Sequence, residues 1–447
     1  MVRYRLAVGL AGVLVLAVAA GAGAASFAYV PNELSGTVSV IATATNTIVT
    51  TVAVGSLPVG AAATPNGAYV YVTNLGSNTV SVIATATNTV VATVPVGMGP
   101  AGVAVTPDGA HVYVANNSGN TVSVIATSTN TIEATVPVGS FPFGVAVTPN
   151  GAFVYVTNEG GGTVSVIAPA TNTVVATVPV ASFPFGVAAT PDSAAVYVTS
   201  LGTGTVSVIV TATNTVGPTV PVGTSPAGVA VTPNGAAVYV ANRDSNTVSV
   251  IATATNTVGT TVPIGKGPAG VAVMPDGAHV YVSNVVDNTV SVIDTTTNTV
   301  VATVPVGQFP LALGQFIQTI TSVPFAAFSP RVDVAASSGA FEVNSTFTLG
   351  VGSPGIRPLT DTVTLQLGAF TITIPGGSFL PGSNGKFIFE GVINGVTLEA
   401  LIAPLDSGGF AFRAEGAGAS GLPTTNAVTV GLTIGINTGT TTTAGLR

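Results

Sequence analysis

The stretch Tyr113-Val-Ala-Asn-Asn-Ser-Gly-Asn-Thr-Val-Ser-Val-Ile-Ala-Thr-Ser-Thr-Asn-Thr-Ile-Glu-Ala-Thr-Val-Pro137 decides the architecture. Its apolar, mostly β-branched residues alternate with polar ones, the pattern of short strands, and Asn, Ser and Gly punctuate it as turns. The pattern recurs along the chain. The asparagine of Thr-Asn-Thr stands at Asn46, Asn88, Asn130, Asn172, Asn214, Asn256 and Asn298. The tyrosine stands at Tyr29, Tyr71, Tyr113, Tyr155, Tyr197, Tyr239 and Tyr281, with the same 42-residue step. A period of roughly 40–45 residues belongs to helical solenoids or to four-stranded propeller blades. Prolines such as Pro95, Pro100 and Pro107 in each unit exclude the helical choice.

One unit reads strand by strand. Strand A is Ala101–Thr106, whose small residues suit the crowded innermost position, and the turn Thr106-Pro-Asp-Gly109 follows. Strand B is His111–Ala115, strand C is Thr121–Ala126 and strand D is Thr131–Val138. Pro137 lacks the N–H that would template a further strand, so D is the outer edge. The array opens at Phe27 without a strand A, and Leu311–Ile317 supplies one after the seventh D strand. This predicts an all-β, closed seven-bladed β-propeller over residues 25–317.

Units such as Tyr71-Val-Thr-Asn74 and Tyr155-Val-Thr-Asn158, set within Pro-x-Gly-Val-Ala-Val-Thr-Pro-Asp/Asn-Gly and Asn-Thr-Val-Ser-Val-Ile, resemble the YVTN family of seven-bladed propeller repeats. That family is similar to surface-layer propellers and, more distantly, to lactonase-like ones. The resemblance implies the fold and says little about activity. One departure recurs. Where the family has Asp after strand C, only Asp294 keeps the acid, and Ala42, Ala84, Ala126, Ala168, Val210 and Ala252 replace it. A ladder of carboxylates for metal is thereby lost.

The ends of the chain read differently. Arg3 and Arg5 precede the apolar run Leu6–Ala20 and a small-residue cluster containing Ala22 and Ala24. Residues 1–24 therefore read as a secretory signal peptide, with an uncleaved anchor as the rival reading. The mature chain has no other run long enough for a transmembrane helix, and the expected location is secreted or cell-surface. After Ile317 the period stops. Residues 318–330 read as a linker, and 331–447 as a C-terminal β-sandwich domain built on alternating runs such as Phe341–Leu349, Val396–Ile402 and Val428–Ile434. The Thr- and Gly-rich end from Asn437 reads as frayed, and Asp406-Ser-Gly-Gly409 as a hairpin turn.

Composition narrows the chemistry. Only 6% of the 447 residues are charged, Cys and Trp are absent, and the net charge is -7. Disulfides, thiolate chemistry and Cys-based metal sites are excluded, and so is a basic nucleic-acid binder. His111 and His279 share a slot filled elsewhere by Tyr69, Phe153 and Ala195, which reads as half-buried filler. Asp244 and Asp287 in B–C loops read as solvated acids rather than a weak Ca²⁺ site. No catalytic residue, cofactor or metal is expected. The variable residues gather in the D–A and B–C loops, which open on one face. There Phe141, Phe143, Phe183, Phe185, Phe309, Glu159 and Arg243 form the candidate binding face, the rings being either an apolar patch or plugs between blades. The sequence thus reads as an exported, non-enzymatic binding or structural scaffold, its partner an unidentified protein, glycan or cell-envelope ligand. The alternatives are a degenerate lactonase-like hydrolase and a purely architectural coat subunit.

Overall fold

A computed structural model describes residues 26–319 and, beyond them, 323–324, 327–335, 337–348, 363–375, 378–405, 409–423, 427–434 and 437–444. The signal-peptide reading of residues 1–24 and the turn reading at Asp406 lie outside the described residues.

Residues 26–319 form seven four-stranded antiparallel sheets, the blades of a closed propeller. Six blades take four consecutive strands each, from Pro58–Ala63 to Thr299–Pro305. The other combines Ser26–Asn32, Thr37–Ala42 and Thr47–Ala53 with Ile317–Thr319 from the far end of the array. Strand D is the rim, as its proline requires. In Thr89–Pro95 only Val94 is buried.

The A strands crowd the axis. A Cβ added at Gly102, Gly228 or Gly270 would fall 2.1 Å from the carbonyl oxygen of Phe143, Ala269 or Ala312 on the next blade. No side chain fits there, which is why Gly recurs in strand A two residues after its proline. Between blades the B and C strands bury Val, Ile and Tyr. Tyr71, Val80, Val82 and Val94 of one blade, for example, pack with Val103, Val112, Val114 and Ile125 of the next. At about 25 cal/mol per Å² of apolar surface removed from water, these interfaces are the main favourable term.

Hydrogen bonds add registration. The phenol of Tyr113 donates to Asn172 Oδ1 at 2.7 Å, and that of Tyr155 to Asn214 Oδ1 at 2.6 Å. Each tyrosine thus reaches the Thr-Asn-Thr turn of the following blade. Tyr281 of the last blade donates to Asn46 of the first at 2.6 Å, so the ring of contacts closes across the ends of the array.

The closing segment differs from the continuous strand expected over Leu311–Ile317. Asn32 bridges Pro310, Leu313 bridges Gly60 of the second blade, and regular pairing with Ser26–Ala28 begins only at Ile317. Leu311–Phe316 bulges because Ala312 and Gly314 take positive φ of 46° and 94°. The bulge carries Leu313 and Gly314 into the axial channel. Strand pairing also runs into the segment read as a linker. Ile317–Thr319 belongs to the first blade, while Val323–Pro324 and Ala327–Ala335 belong to the C-terminal sheets.

Those sheets form a sandwich. Six strands run in the order Ala327–Ala335, Ala340–Thr348, Phe410–Ala417, Val396–Pro404, Phe387–Ile393, Leu380–Pro381. Five run Val323–Pro324, Asn437–Ala444, Ala427–Ile434, Val363–Leu367, Phe370–Ile374. Phe341, Phe347, Leu398 and Phe412 of the first share one core with Leu365, Ile374, Val430 and Leu432 of the second. Of the segment expected to fray, Asn437–Ala444 pairs along the whole length of Ala427–Ile434. Its threonines supply β-branched strand formers despite the low apolar content.

Candidate functional site

One repeat position carries the individual chemistry of the propeller. It is the first residue after strand B, occupied in turn by Glu33, Leu75, Asn117, Glu159, Leu201, Arg243 and Val285. In every blade its N–H donates to the carbonyl of the residue that ends the preceding D–A turn. Glu33 bonds Phe309 at 3.0 Å, Glu159 bonds Phe141 at 3.0 Å, Leu201 bonds Phe183 at 3.0 Å and Arg243 bonds Ser225 at 3.0 Å. The acceptor residue always has positive φ, as in Phe141 (51°), Phe183 (55°) and Phe309 (55°). The D–A and B–C loops are therefore one braced unit per blade, arranged around the axis.

Three charged side chains stand in this ring. Glu33, Glu159 and Arg243 are all half-buried. Desolvation raises the Glu33 carboxyl above its ordinary value, and the positive charge of Arg243 partly offsets that rise. Desolvation raises the Glu159 carboxyl as well. A carboxylate held above its ordinary pKa is a stronger base, and a half-buried guanidinium is a fixed positive charge, so the ring carries both a proton acceptor and an anion stabiliser. Glu33 was missing from the binding face expected above, although it shares the repeat slot of Glu159 and Arg243. The signal was the slot itself.

The aromatic candidates separate into two groups. Phe143 and Phe185 stack with ring centroids 4.1 Å apart, and with Phe309 they join a cluster containing Val59, Val285, Leu311 and Leu313. This cluster caps the axial channel on the D–A/B–C side. Beneath it lies a cavity of about 270 Å³, lined by strand A residues such as Val103, Gly144 and Val187 together with Gly314 and Gln315. Phe141 and Phe183 lie outside the cap and are each 53% exposed.

Elsewhere the charged residues are tied to local structure. Asp244 accepts a hydrogen bond from the Ser225 hydroxyl at 2.5 Å, and Asp287 accepts one from the Lys266 N–H at 2.7 Å. On the opposite face His111 Nε2 lies 2.9 Å from Glu133 Oε2, a partner that the filler reading of His111 did not name. The partner was not visible because Glu133 sits across the blade on strand D. Among the described residues no group of three or more His, Asp or Glu is placed to hold a metal ion.

The family model described as lactonase, seven-bladed β-propeller, matches residues 20–180, 129–263 and 192–304, so it spans most of the chain. No curated protein matches the chain. Among solved structures, Kuenenia stuttgartiensis hydrazine synthase superposes with a TM-score of 0.56 at 25% identity, covering 60% of this chain and 92% of that one. A functionally unknown protein from Desulfotomaculum acetoxidans superposes with a TM-score of 0.57 at 19% identity, covering 65% of this chain and 99% of that one. The second likeness is one of fold alone. The narrower YVTN assignment rests on the repeat motifs.

The lactonase match overturns the expectation of a non-enzymatic binding or structural scaffold. That expectation rested on the scarcity of charge counted over the whole propeller. The count was the wrong measure, because hydrolysis needs a few charged groups gathered at one place. The repeat slot holds three of them, and Arg243 acts by charge on Glu33.

Proposed function

The chain belongs to the lactonase family of seven-bladed β-propellers, and from that membership we propose that it is a lactonase-like hydrolase whose reaction takes place at the ring of Glu33, Glu159 and Arg243. The match over residues 20–304 carries the reading of the reaction. The half-buried charges on the D–A/B–C face support its location. Glu159, its basicity raised by desolvation, takes a proton from water as the oxygen attacks the lactone carbonyl. Arg243 stabilises the oxyanion of the tetrahedral intermediate. The ring C–O bond then breaks, the proton passes to the departing alkoxide, and the product is a hydroxy acid. Glu33 acts through Arg243, holding the guanidinium by charge. The secretory reading of residues 1–24 would place this activity outside the cytoplasm.

The test is hydrolysis of simple lactones and esters followed by proton release. Glu159→Gln should lower kcat/KM by about 10²–10⁴-fold, and Arg243→Met by about 10²–10³-fold, with thermal midpoints unchanged. Because burial raises the Glu159 carboxyl, the acid limb should lie above the ordinary value of 4.5, with the rate increasing as pH rises through it. A wild-type chain that opens no lactone or ester removes the reading. A Glu159→Gln variant with the full rate removes the location.

A further inference from the structure

The D–A/B–C face combines an excess of negative charge with exposed apolar side chains. Its charged residues are Glu33, Glu159, Asp244 and Asp287 against Arg243 and Lys266. Leu34, Met98, Phe141, Phe183 and Val286 are each more than half exposed on the same loops. Singly scattered apolar groups need no explanation, but Phe141 and Phe183 come from two consecutive D–A turns.

Phe141 and Phe183 are the strongest part of it. Both hold left-handed backbone, the conformation of this turn position in every blade, which Leu57, Ser225 and Phe309 share and which Gly99 and Gly267 adopt without a Cβ. The strain is fixed by the surroundings. The Phe141 N–H donates to Asn120 Oδ1 at 2.9 Å, and its carbonyl accepts from Glu159. Space for each ring is also built in. A Cβ at Gly160 would fall 2.6 Å from Phe141 Cδ2, and one at Gly202 would fall 2.8 Å from Phe183 Cδ2. Gly160 directly follows Glu159, so the Phe141 ring lies against the loop that carries the proton acceptor. Strained residues over-determined by their neighbours concentrate at functional sites.

Resting on the hydrolase reading, we infer that the ligand is an uncharged lactone or ester bearing an alkyl chain, with its carbonyl at the charged ring and its chain packed on Phe141 and Phe183. The face carries four acids against two bases, so a lactone bearing a carboxylate or phosphate would meet a net negative field. Repulsion disfavours it, while the exposed rings lose water when an alkyl chain covers them.

The experiment pairs turnover with binding. Hydrolysis is compared for γ-lactones with a methyl chain, with an octyl chain and with a carboxylate. Calorimetry uses the unreactive γ-lactams with the same methyl and octyl chains. The octyl lactam should bind at least about ten-fold tighter than the methyl one. Phe141→Gly with Phe183→Gly should remove that advantage while retaining methyl-lactam affinity, and for the octyl lactone should raise KM with kcat within about two-fold. Glycine relieves the positive-φ strain, so the variant keeps the fold, and a Phe141→Leu, Phe183→Leu variant that restores octyl binding excludes a structural effect. Chain-independent binding by wild type, undiminished octyl binding by the glycine variant, or preference for the carboxylate lactone overturns the inference, even if lactones are hydrolysed. Chain-dependent binding without any turnover upholds the ligand class and removes the hydrolase reading instead.

Discussion

Asn130 and its six counterparts each serve two purposes. Their φ values of 51–54° are left-handed, a conformation Asn tolerates better than any residue but Gly, and their side-chain oxygens accept the phenol of the preceding blade. Glycine would satisfy the turn and lose the bond, which explains why Asn holds the position throughout. Tyr155→Phe deletes one donor and strands Asn214 Oδ1, so the propeller should lose about 1–2 kcal/mol. A denaturation midpoint equal to that of the parent would show that the bond contributes nothing. The same phenols set an alkaline limit. Burial pushes Tyr71, Tyr113, Tyr155 and Tyr281 up to about 12 from the ordinary 10. The folded chain therefore holds protons that the unfolded chain releases near pH 10. This contribution is complete below pH 10 and is lost as pH rises towards 12. Unfolding followed by circular dichroism should steepen in that window, and stability flat from pH 10 to 12 would contradict it.

At the level of elements, the C-terminal sandwich shows a conflict between register and charge. Asp333 pairs with Glu342, Glu342 with Glu415, Glu415 with Glu399, and Glu399 with Glu390, so five acids line up across five adjacent strands. The hydrophobic pattern enforces this register, because a one-residue slip would turn Phe341, Leu398 and Phe412 out of the core. Arg413 reaches Glu342 and Glu415 and offsets part of the repulsion. Glu399 faces an acid on each side. Glu399→Gln should therefore stabilise the sandwich by about 0.2–1 kcal/mol, with the gain shrinking as salt rises. A midpoint that falls would mean that the row is satisfied in some other way. Strands stand where alternation placed them, Val396–Pro404 and Ala427–Ile434 among them. Val323–Pro324, Ala327–Ala335, Leu380–Pro381 and Asn437–Ala444 were not read as strands, since proline, brevity or a run of threonine hides their alternation.

Over the whole molecule, closure depends on a segment that breaks the repeat. Phe316 is fully buried in a cluster that joins Tyr29, Val38 and Ile41 of the first blade to Met274, Tyr281 and Val292 of the last. Its carbonyl accepts the Tyr29 N–H at 2.8 Å. Phe316→Ala should cost about 3–5 kcal/mol, and an unaltered thermal midpoint would mean that the ring is held elsewhere. The sequence by itself determined the blade, the count of seven, the rim strand and the return of the chain to its first blade. These follow from local alternation, turn chemistry and a fixed period, all of which are short-range. It also pointed to the loop face that bears Glu159 and Arg243. Only the tertiary structure decided which candidates do different work there. Phe143 and Phe185 became a cap and Phe141 and Phe183 stayed in solvent, although both pairs share the motif Phe-Pro-Phe, because direction towards or away from the axis depends on the backbone of the turn. Glu33 came within the electrostatic reach of Arg243, some 210 residues apart in sequence. Charge coupling over that separation exists only once the blades have closed around the axis.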